Sequence, residues 1–179
     1  EMGGIRFEAD GSVTIVTGTL DYGQGHATPF AQVLSDKLGI PLERIRLLQG
    51  DSDALLAGGG TGGSRSMMNS GAAIVEACAK VIEQGRAIAS HVLEASAADI
   101  EFANGRFVVA GTDRGIGLLE LAEQLRGGLQ LPPGIPASLD VRHVSDGVPS
   151  AFPNGCHVAE VEVDPDTGRI EVVRYTSVN

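Results

Sequence analysis

The chain has 179 residues, of which 42% are hydrophobic, enough for one domain of ordinary size or two small ones. A formal net charge of −10 argues against a surface that binds nucleic-acid phosphates. No apolar run approaches the ~18 residues of a membrane span. Cys78 and Cys156 form no C-x-x-C motif, and they fit a reducing, cytoplasmic setting.

The first predicted elements are a β-hairpin and a helix joined by a glycine turn. Apolar and polar residues alternate over residues 5–8 and 13–17 around an Asp-Gly pair, which predicts the hairpin. The helix that follows has Thr28 as its predicted N-cap, Pro29 in its first position and Gly39 as its end.

A second glycine-rich segment precedes a long helix. Residues 44–49 read as a short strand, and five of the six residues 58–63 are glycine. Such a loop is costly to order, so we expect it either to wrap closely around a ligand or, without one, to be mobile over residues 58–66. Apolar residues then recur at three and four over about 67–94, which predicts a helix roughly 40 Å long.

The remaining pattern completes an α+β fold. It comprises a hairpin around Asn104-Gly105, a short helix ending at Gly127-Gly128, an interruption at 131–136, a strand at 139–144 and a third hairpin with strands at 156–163 and 169–175. We predict a mixed β-sheet with hairpins and with helices packed on one side, including the long helix around 67–94. The interruption suggests a division into residues 1–130 and a β-hairpin extension, 131–179. Both ends read as continuing into a longer polypeptide.

Two stretches ahead of helices are the candidate binding elements. They are Gly23-Gln24-Gly25-His26 and Gly63-Ser64-Arg65-Ser66. Glycines let a ligand approach the backbone, helix N-termini attract anions, and hydroxyl and guanidinium groups suit phosphate. A tight strand-to-helix turn without a ligand explains the first stretch equally well.

The other chemical motifs give weaker signals. Residues 58–63 satisfy G-x-G-x-x-G without a clear preceding strand, and no Lys follows, so the P-loop interpretation fails. The four His residues show no metal-ligand spacing, and a local hydrogen bond explains His26 better than catalysis does. Asp51 and Asp53 could pair around a divalent ion, although Asp-rich turns are common.

Through these stretches, the sequence resembles the molybdenum hydroxylase family. It resembles the second molybdopterin-binding region of the large subunit. That family includes xanthine dehydrogenases, aldehyde oxidases and aerobic carbon monoxide dehydrogenases. The resemblance covers nearly the whole chain in order. Its matching stretches are Gly23–His26, Phe30–Gln32, Leu38–Pro41, Gly50–Asp53, Gly62–Ser66, Gly71–Ala73, Val158–Gly168 and Val172-Val173.

The resemblance implies a role for each stretch. In the family, the Gly-Gln-Gly turn contacts the pterin, and the Gly-Ser-Arg-Ser loop contacts the pterin and phosphate of the cofactor. It therefore implies that residues 1–130 form the cofactor-binding region. The implied cofactor-binding residues are Gly23, Gln24, Gly25, His26, Gly63, Ser64, Arg65 and Ser66. No residue of this segment is implied to be catalytic or to ligate the metal.

The resemblance also implies an enzyme. Its parent would use molybdenum with molybdopterin cytosine dinucleotide to hydroxylate a small carbon substrate with oxygen from water, passing electrons to iron–sulfur and FAD partners. The segment alone is expected to be inactive and without bound cofactor, because the rest of the large subunit completes the site. The substrate stays open between carbon monoxide, an aldehyde, a purine and an N-heterocycle. Two alternatives stay open: a cofactor-free α+β scaffold or interaction module, and a nucleotide-binding protein.

Overall fold

The computed structural model describes residues 1–149 and 151–178. These form two compact units, Glu1–Pro149 and Ser150–Asn179. The division suggested between residues 130 and 131 stays a prediction. The first unit contains strands β1 (Met2–Phe7), β2 (Val13–Thr17), β3 (Ile45–Leu48), β4 (Ile100–Ala103), β5 (Arg106–Val109), β6 (Gly115–Gly117) and β7 (Val141–Val144), and helices α1 (Ala27–Leu38), α2 (Gly71–Val92) and α3 (Leu118–Arg126).

The main sheet of the first unit is mixed, with the strand order β3-β2-β1-β7. Strand β1 pairs antiparallel with β2 and with β7, whereas β2 pairs parallel with β3. Ile5 and Ile15 are paired across the hairpin and are buried in the same core as Phe30 of α1 and Ile74 of α2. The predicted α+β fold with helices against a mixed sheet is confirmed.

Helix α1 begins earlier than its sequence signals predict. It starts at Ala27, with His26 as a helical N-cap that provides no side-chain cap. Thr28 therefore lies inside the first turn, where its N–H donates to the Gly25 carbonyl at 3.3 Å, and the prediction of Thr28 as N-cap is wrong. The predicted end is confirmed, because Gly39 takes a left-handed conformation with φ of 65°.

The predicted long helix is confirmed, with a modified first turn. A π-helical turn, Ser66–Ser70, leads directly into α2, which continues to Val92. Buried residues recur along α2 at the spacing of one helix face. They are Gly71, Ala73, Ile74, Ala77, Cys78, Val81, Gly85, Ile88 and Ala89.

The smaller elements follow local turn chemistry. Strands β4, β5 and β6 form an antiparallel sheet, and Asn104 (φ 50°) and Gly105 (φ 75°) make its first turn. In the second unit, β8 (Cys156–Val163) pairs antiparallel with β9 (Ile170–Val178), with an irregularity between Glu160 and Val161. Across residues 1–149 and 151–178, no helix combines the length and apolar character needed to cross a membrane.

Candidate functional site

The candidate site lies where a βαβ unit turns from strand to helix. Strands β2 and β3 are parallel neighbours, and α1 lies between them in the chain. The carboxyl ends of both strands therefore meet at one edge of the sheet, beside the N-terminus of α1. In open sheets of this type, ligands bind in the crevice at the carboxyl ends of the strands. Local sequence patterns predict the two strands separately and do not reveal their parallel pairing.

The side chain of Asp21 stabilises the first binding segment, Gly18–His26, and it is not among the predicted site residues. The Asp21 carboxylate accepts the backbone N–H groups of Gly23 (2.7 Å), Gly25 (3.2 Å) and His26 (2.6 Å). These bonds, that of Gly23 above all, lower the pKa of Asp21. The three amides are thus occupied by the chain's own carboxylate. The exposed side chain of Gln24 is also bonded within the turn, because its Oε1 accepts the Tyr22 N–H at 2.5 Å and its Nε2 donates to the Leu20 carbonyl at 3.5 Å. An Asp two residues before a Gly is a turn signal that could have identified Asp21.

The second segment, Gly58–Ser66, lies against the first. A Cβ placed on Gly18 would lie 2.2 Å from the Cα of Gly58, so the two backbones meet where neither residue has a side chain. The Gly60 N–H donates to the Gly18 carbonyl at 3.2 Å, and the Leu20 N–H donates to Thr61 Oγ1 at 3.0 Å. These contacts bring the two predicted stretches together.

The end of the second segment contains a strained serine. Gly63 (φ 64°) and Ser64 (φ 55°) both adopt left-handed conformations, which a serine adopts at a cost. The Nε of Arg65 donates to the Gly62 carbonyl at 3.2 Å, so the loop orients its own guanidinium group. Within the described residues, Arg65 makes no salt bridge with a carboxylate.

A cleft of about 400 Å³ opens between the two segments. Its lining consists of Gln24, His26, Pro29, Phe30, Thr61, Gly62, Ser64, Ser66 and Met67. Four of the predicted residues therefore share one cleft: Gln24, His26, Ser64 and Ser66. Gly23, Gly25 and Gly63 shape the backbone beside it. Arg65 instead lines a neighbouring cavity of about 210 Å³ with Glu1, Asn69 and Asp146.

Buried polar residues lie directly beneath this cleft. Thr17, Thr19, His26 and Ser70 are each no more than 5% exposed. The side-chain amide nitrogen of Gln49 contacts Thr19 Oγ1 (2.7 Å), Thr17 Oγ1 (3.1 Å) and His26 Nδ1 (3.3 Å). The local hydrogen bond expected for His26 is therefore present. We call these five residues the polar cluster.

The remaining polar candidates do not form a second site. Asp51 accepts the Asp53 N–H at 3.0 Å in an exposed turn, and the part of the chain that the structure describes holds no group of three potential metal ligands. His143 bonds Glu76 at 2.5 Å, and His91 is exposed. Burial raises the pKa of the Cys78 thiol to about 12, which makes it an unreactive core residue.

The fold and the cleft together define a cofactor-binding domain built around a βαβ unit. The chain belongs to the molybdopterin cofactor-binding domain family, whose model matches residues 1–179.

Known proteins of this type are similar over the whole chain. The carbon monoxide dehydrogenase large chain of Hydrogenophaga pseudoflava is 35% identical over 98% of this chain. Subunit gamma of the 6-hydroxypseudooxynicotine dehydrogenase complex of Paenarthrobacter nicotinovorans is 33% identical over 99%. The chain spans 22% of the length of each relative, so it corresponds to one segment of a larger subunit.

Solved structures have the same fold as this chain. The Cu,Mo-CO dehydrogenase in its carbon monoxide reduced state superposes with a TM-score of 0.80 at 32% identity, covering 98% of this chain and 22% of that one. Quinoline 2-oxidoreductase from Pseudomonas putida 86 gives a TM-score of 0.75 at 30% identity with the same coverage. The resemblance drawn from the sequence motifs is confirmed.

Proposed function

We propose that this segment holds one side of a molybdopterin cofactor, in its cytosine dinucleotide form, in the large subunit of a molybdenum hydroxylase. The observation that carries the proposal is the cleft that the two glycine-containing segments line together. Its volume of about 400 Å³ lies within the range of small-molecule sites. The two segments are about forty residues apart in the chain. A simple strand-to-helix turn does not require a distant segment to pack against it.

The donor set fits the group. A pterin is a flat polar ring system whose edge carries donors and acceptors. The Gln24 amide binds Tyr22 and Leu20, and its second N–H and its second oxygen lone pair can pair with such an edge. The hydroxyls of Ser64 and Ser66 and the guanidinium of Arg65 are suited to phosphate oxygens. Arg65 lines the adjoining cavity rather than the cleft, which favours a ligand that extends from the cleft past the Gly63–Ser66 loop.

The chemistry supplied by the bound group would be two-electron oxidation at molybdenum, with hydroxylation of a carbon atom by oxygen from water. The residues of this segment would bind and orient the group and exclude water from one of its faces. The rest of the large subunit would supply the opposite face and the substrate pocket, and iron–sulfur and FAD partners would accept the electrons. The parent enzyme would work in the cytoplasm.

The substrate class is left open by the relatives themselves. Similar proteins include the large chain of a carbon monoxide dehydrogenase and the large subunit of a nicotine 6-hydroxylase, which are 35% and 33% identical to this chain. Such close values do not favour one substrate. We therefore propose the cofactor and the reaction type, with a small carbon substrate.

Cofactor analysis of the parent enzyme tests the proposal. We expect molybdenum, pterin and CMP in near-equimolar amounts in the wild-type enzyme. Replacing Gln24 or Arg65 by Met should weaken cofactor retention, roughly tenfold or more for the charged contact of Arg65. The control is Arg106→Met, an exposed charge on β5. Unchanged metal loading in both site variants would refute the assignment of these residues.

A second candidate is a scaffold that keeps the fold without a cofactor. Asp21 favours it, because its carboxylate satisfies three amides of the turn with no ligand needed. A wild-type parent enzyme that contains neither metal nor pterin would support this function instead.

A further inference from the structure

The polar cluster beneath the cleft calls for an explanation of its own. Buried polar groups are costly unless they are hydrogen-bonded, and apolar residues would fill the same space more cheaply. The cluster gathers residues from four places: the end of β2, the start of α1, the residue after β3 and the turn that begins α2. Ser70 donates to Thr19 Oγ1 at 3.4 Å, and the amide nitrogen of Gln49 contacts both threonine hydroxyls and one atom of the cleft lining, His26 Nδ1.

The contact between Gln49 and His26 determines where the imidazole carries its proton. The amide nitrogen of Gln49 can only donate, and its two hydrogens are shared among three acceptors, of which His26 Nδ1 at 3.3 Å is the most distant. With the amide in this orientation, His26 Nδ1 is the acceptor of a shared hydrogen and carries no proton. In the neutral ring the proton then sits on Nε2. The same amide nitrogen lies 2.7 Å from the Thr19 hydroxyl and 3.1 Å from the Thr17 hydroxyl, two buried oxygens that hold it in place.

The ring itself has little freedom to turn. It stacks on Phe30 with a centroid distance of 5.1 Å and an interplanar angle of 28°, and only 5% of His26 is exposed. Its backbone is fixed by the bond of its N–H to Asp21 at 2.6 Å. His26 nevertheless lines the cleft, so the edge that the ring offers to a ligand is set by its neighbours.

We propose that Gln49 is a positioning residue: it holds His26 as the Nε2–H tautomer, so that His26 donates a hydrogen bond to an acceptor atom of the ligand in the cleft. The acceptor is a ring nitrogen, a carbonyl oxygen or a phosphate oxygen of the bound cofactor. This inference rests on the proposed function, since it needs a ligand in the cleft.

The test is a double-substitution cycle in the parent holoenzyme. Gln49→Met and His26→Phe are made singly and together, and the rate of cofactor loss in mild denaturant is followed by molybdenum analysis and by the fluorescence of the oxidised pterin. Each single variant should lose cofactor about two- to tenfold faster, the effect of one hydrogen bond. Because Gln49 acts through His26, Gln49→Met should add nothing in the His26→Phe background.

A third variant tests the direction of the hydrogen bond. In Gln49→Glu the shape is kept but the donor becomes an acceptor, so we expect cofactor loss as fast as in Gln49→Met. If Gln49 instead accepted a proton from Nδ1, the Glu variant would retain the cofactor like the wild type, and the tautomer assignment would be overturned. Gln84→Met, the same replacement in the middle of α2, is the matched control and should leave cofactor loss unchanged.

The outcomes separate this inference from the proposed function. Wild-type enzyme without molybdenum or pterin refutes the proposed function, and this inference with it. A loaded wild type with additive effects of the two substitutions would show that Gln49 acts independently of His26 and would overturn this inference alone. The melting temperature of each variant, measured on enzyme stripped of cofactor, identifies a general loss of stability.

Discussion

The contact between Gly18 and Gly58 supports the most direct test of how the cleft is assembled. In Gly18→Ala, the new methyl group would lie 2.2 Å from Gly58 Cα and 2.7 Å from the Ala57 carbonyl oxygen. Both are backbone atoms, so no flexible side chain can move aside. The second segment must therefore shift away from the first.

The size of the effect follows from two contributions. Overpacking a closely packed contact costs about 1–3 kcal/mol. Separation of the segments also removes the hydrogen bond from Gly60 to Gly18, worth about 0.5–1.5 kcal/mol net. We expect the free energy of unfolding to fall by about 2–4 kcal/mol in Gly18→Ala. The parent enzyme with this substitution should also lose cofactor, because the cleft widens.

Urea unfolding followed by far-ultraviolet circular dichroism measures the stability change. The matched control is Gly62→Ala in the same segment, where a Cβ meets no atom within 4 Å and φ is not positive. Its free energy of unfolding should stay within about 1 kcal/mol of the wild-type value. Equal stability of the two Ala variants would refute the close packing of the segments.

Two further predictions concern titratable groups. The N–H groups of the first segment, chiefly that of Gly23, lower the pKa of Asp21, so its stabilising effect is complete above the unfolded pKa of about 3.9 and is lost as the pH falls through the folded-state value. In urea unfolding at several pH values, Asp21→Asn should remove this part of the acid dependence of the free energy of unfolding. The control Asp36→Asn, at an exposed helix position, should not. An unchanged acid dependence in Asp21→Asn would contradict the assignment. Iodoacetamide at about pH 8 should label the exposed Cys156 in the folded protein. The buried Cys78, with a pKa of about 12, should stay unlabelled until urea is added, as measured by mass spectrometry. Labelling of Cys78 in the folded protein would contradict its burial.

Features encoded by neighbouring residues could be predicted from the sequence. The Asp-Gly and Asn-Gly pairs identified their hairpins because type I′ and related turns need residues that tolerate a positive φ. Gly39 identified the end of α1 for the same reason, and the apolar spacing identified α2. In each case the decisive interaction lies within a few residues of the signal.

Two features were not predicted: the first has a local cause, which the Asp-x-Gly pattern signals, and the second depends on a distant part of the chain. The start of α1 was misplaced because Asp21, five residues before His26, binds the N–H of His26 and brings the chain into helical geometry before Thr28. The side-chain contacts of Gln49 were not predicted, because nothing near Gln49 in the sequence shows that β3 lies parallel to β2. The family resemblance supports the proposed identity of the cleft, which the local patterns left open between a ligand site and a plain turn.

The two segments that line the cleft differ in what holds them, and this difference bears on how a ligand would bind. The Gly18–His26 segment is stabilised by its own Asp21, whereas the Gly58–Ser66 segment relies on the first one, through Gly60 and Thr61. Beyond Thr61 the second segment reaches Ser64, whose left-handed conformation is strained. A bound ligand that contacts Ser64 and Ser66 would offset that strain. We therefore predict that the first segment is preformed and that a ligand orders the second, so that residues 58–66 are mobile without a ligand.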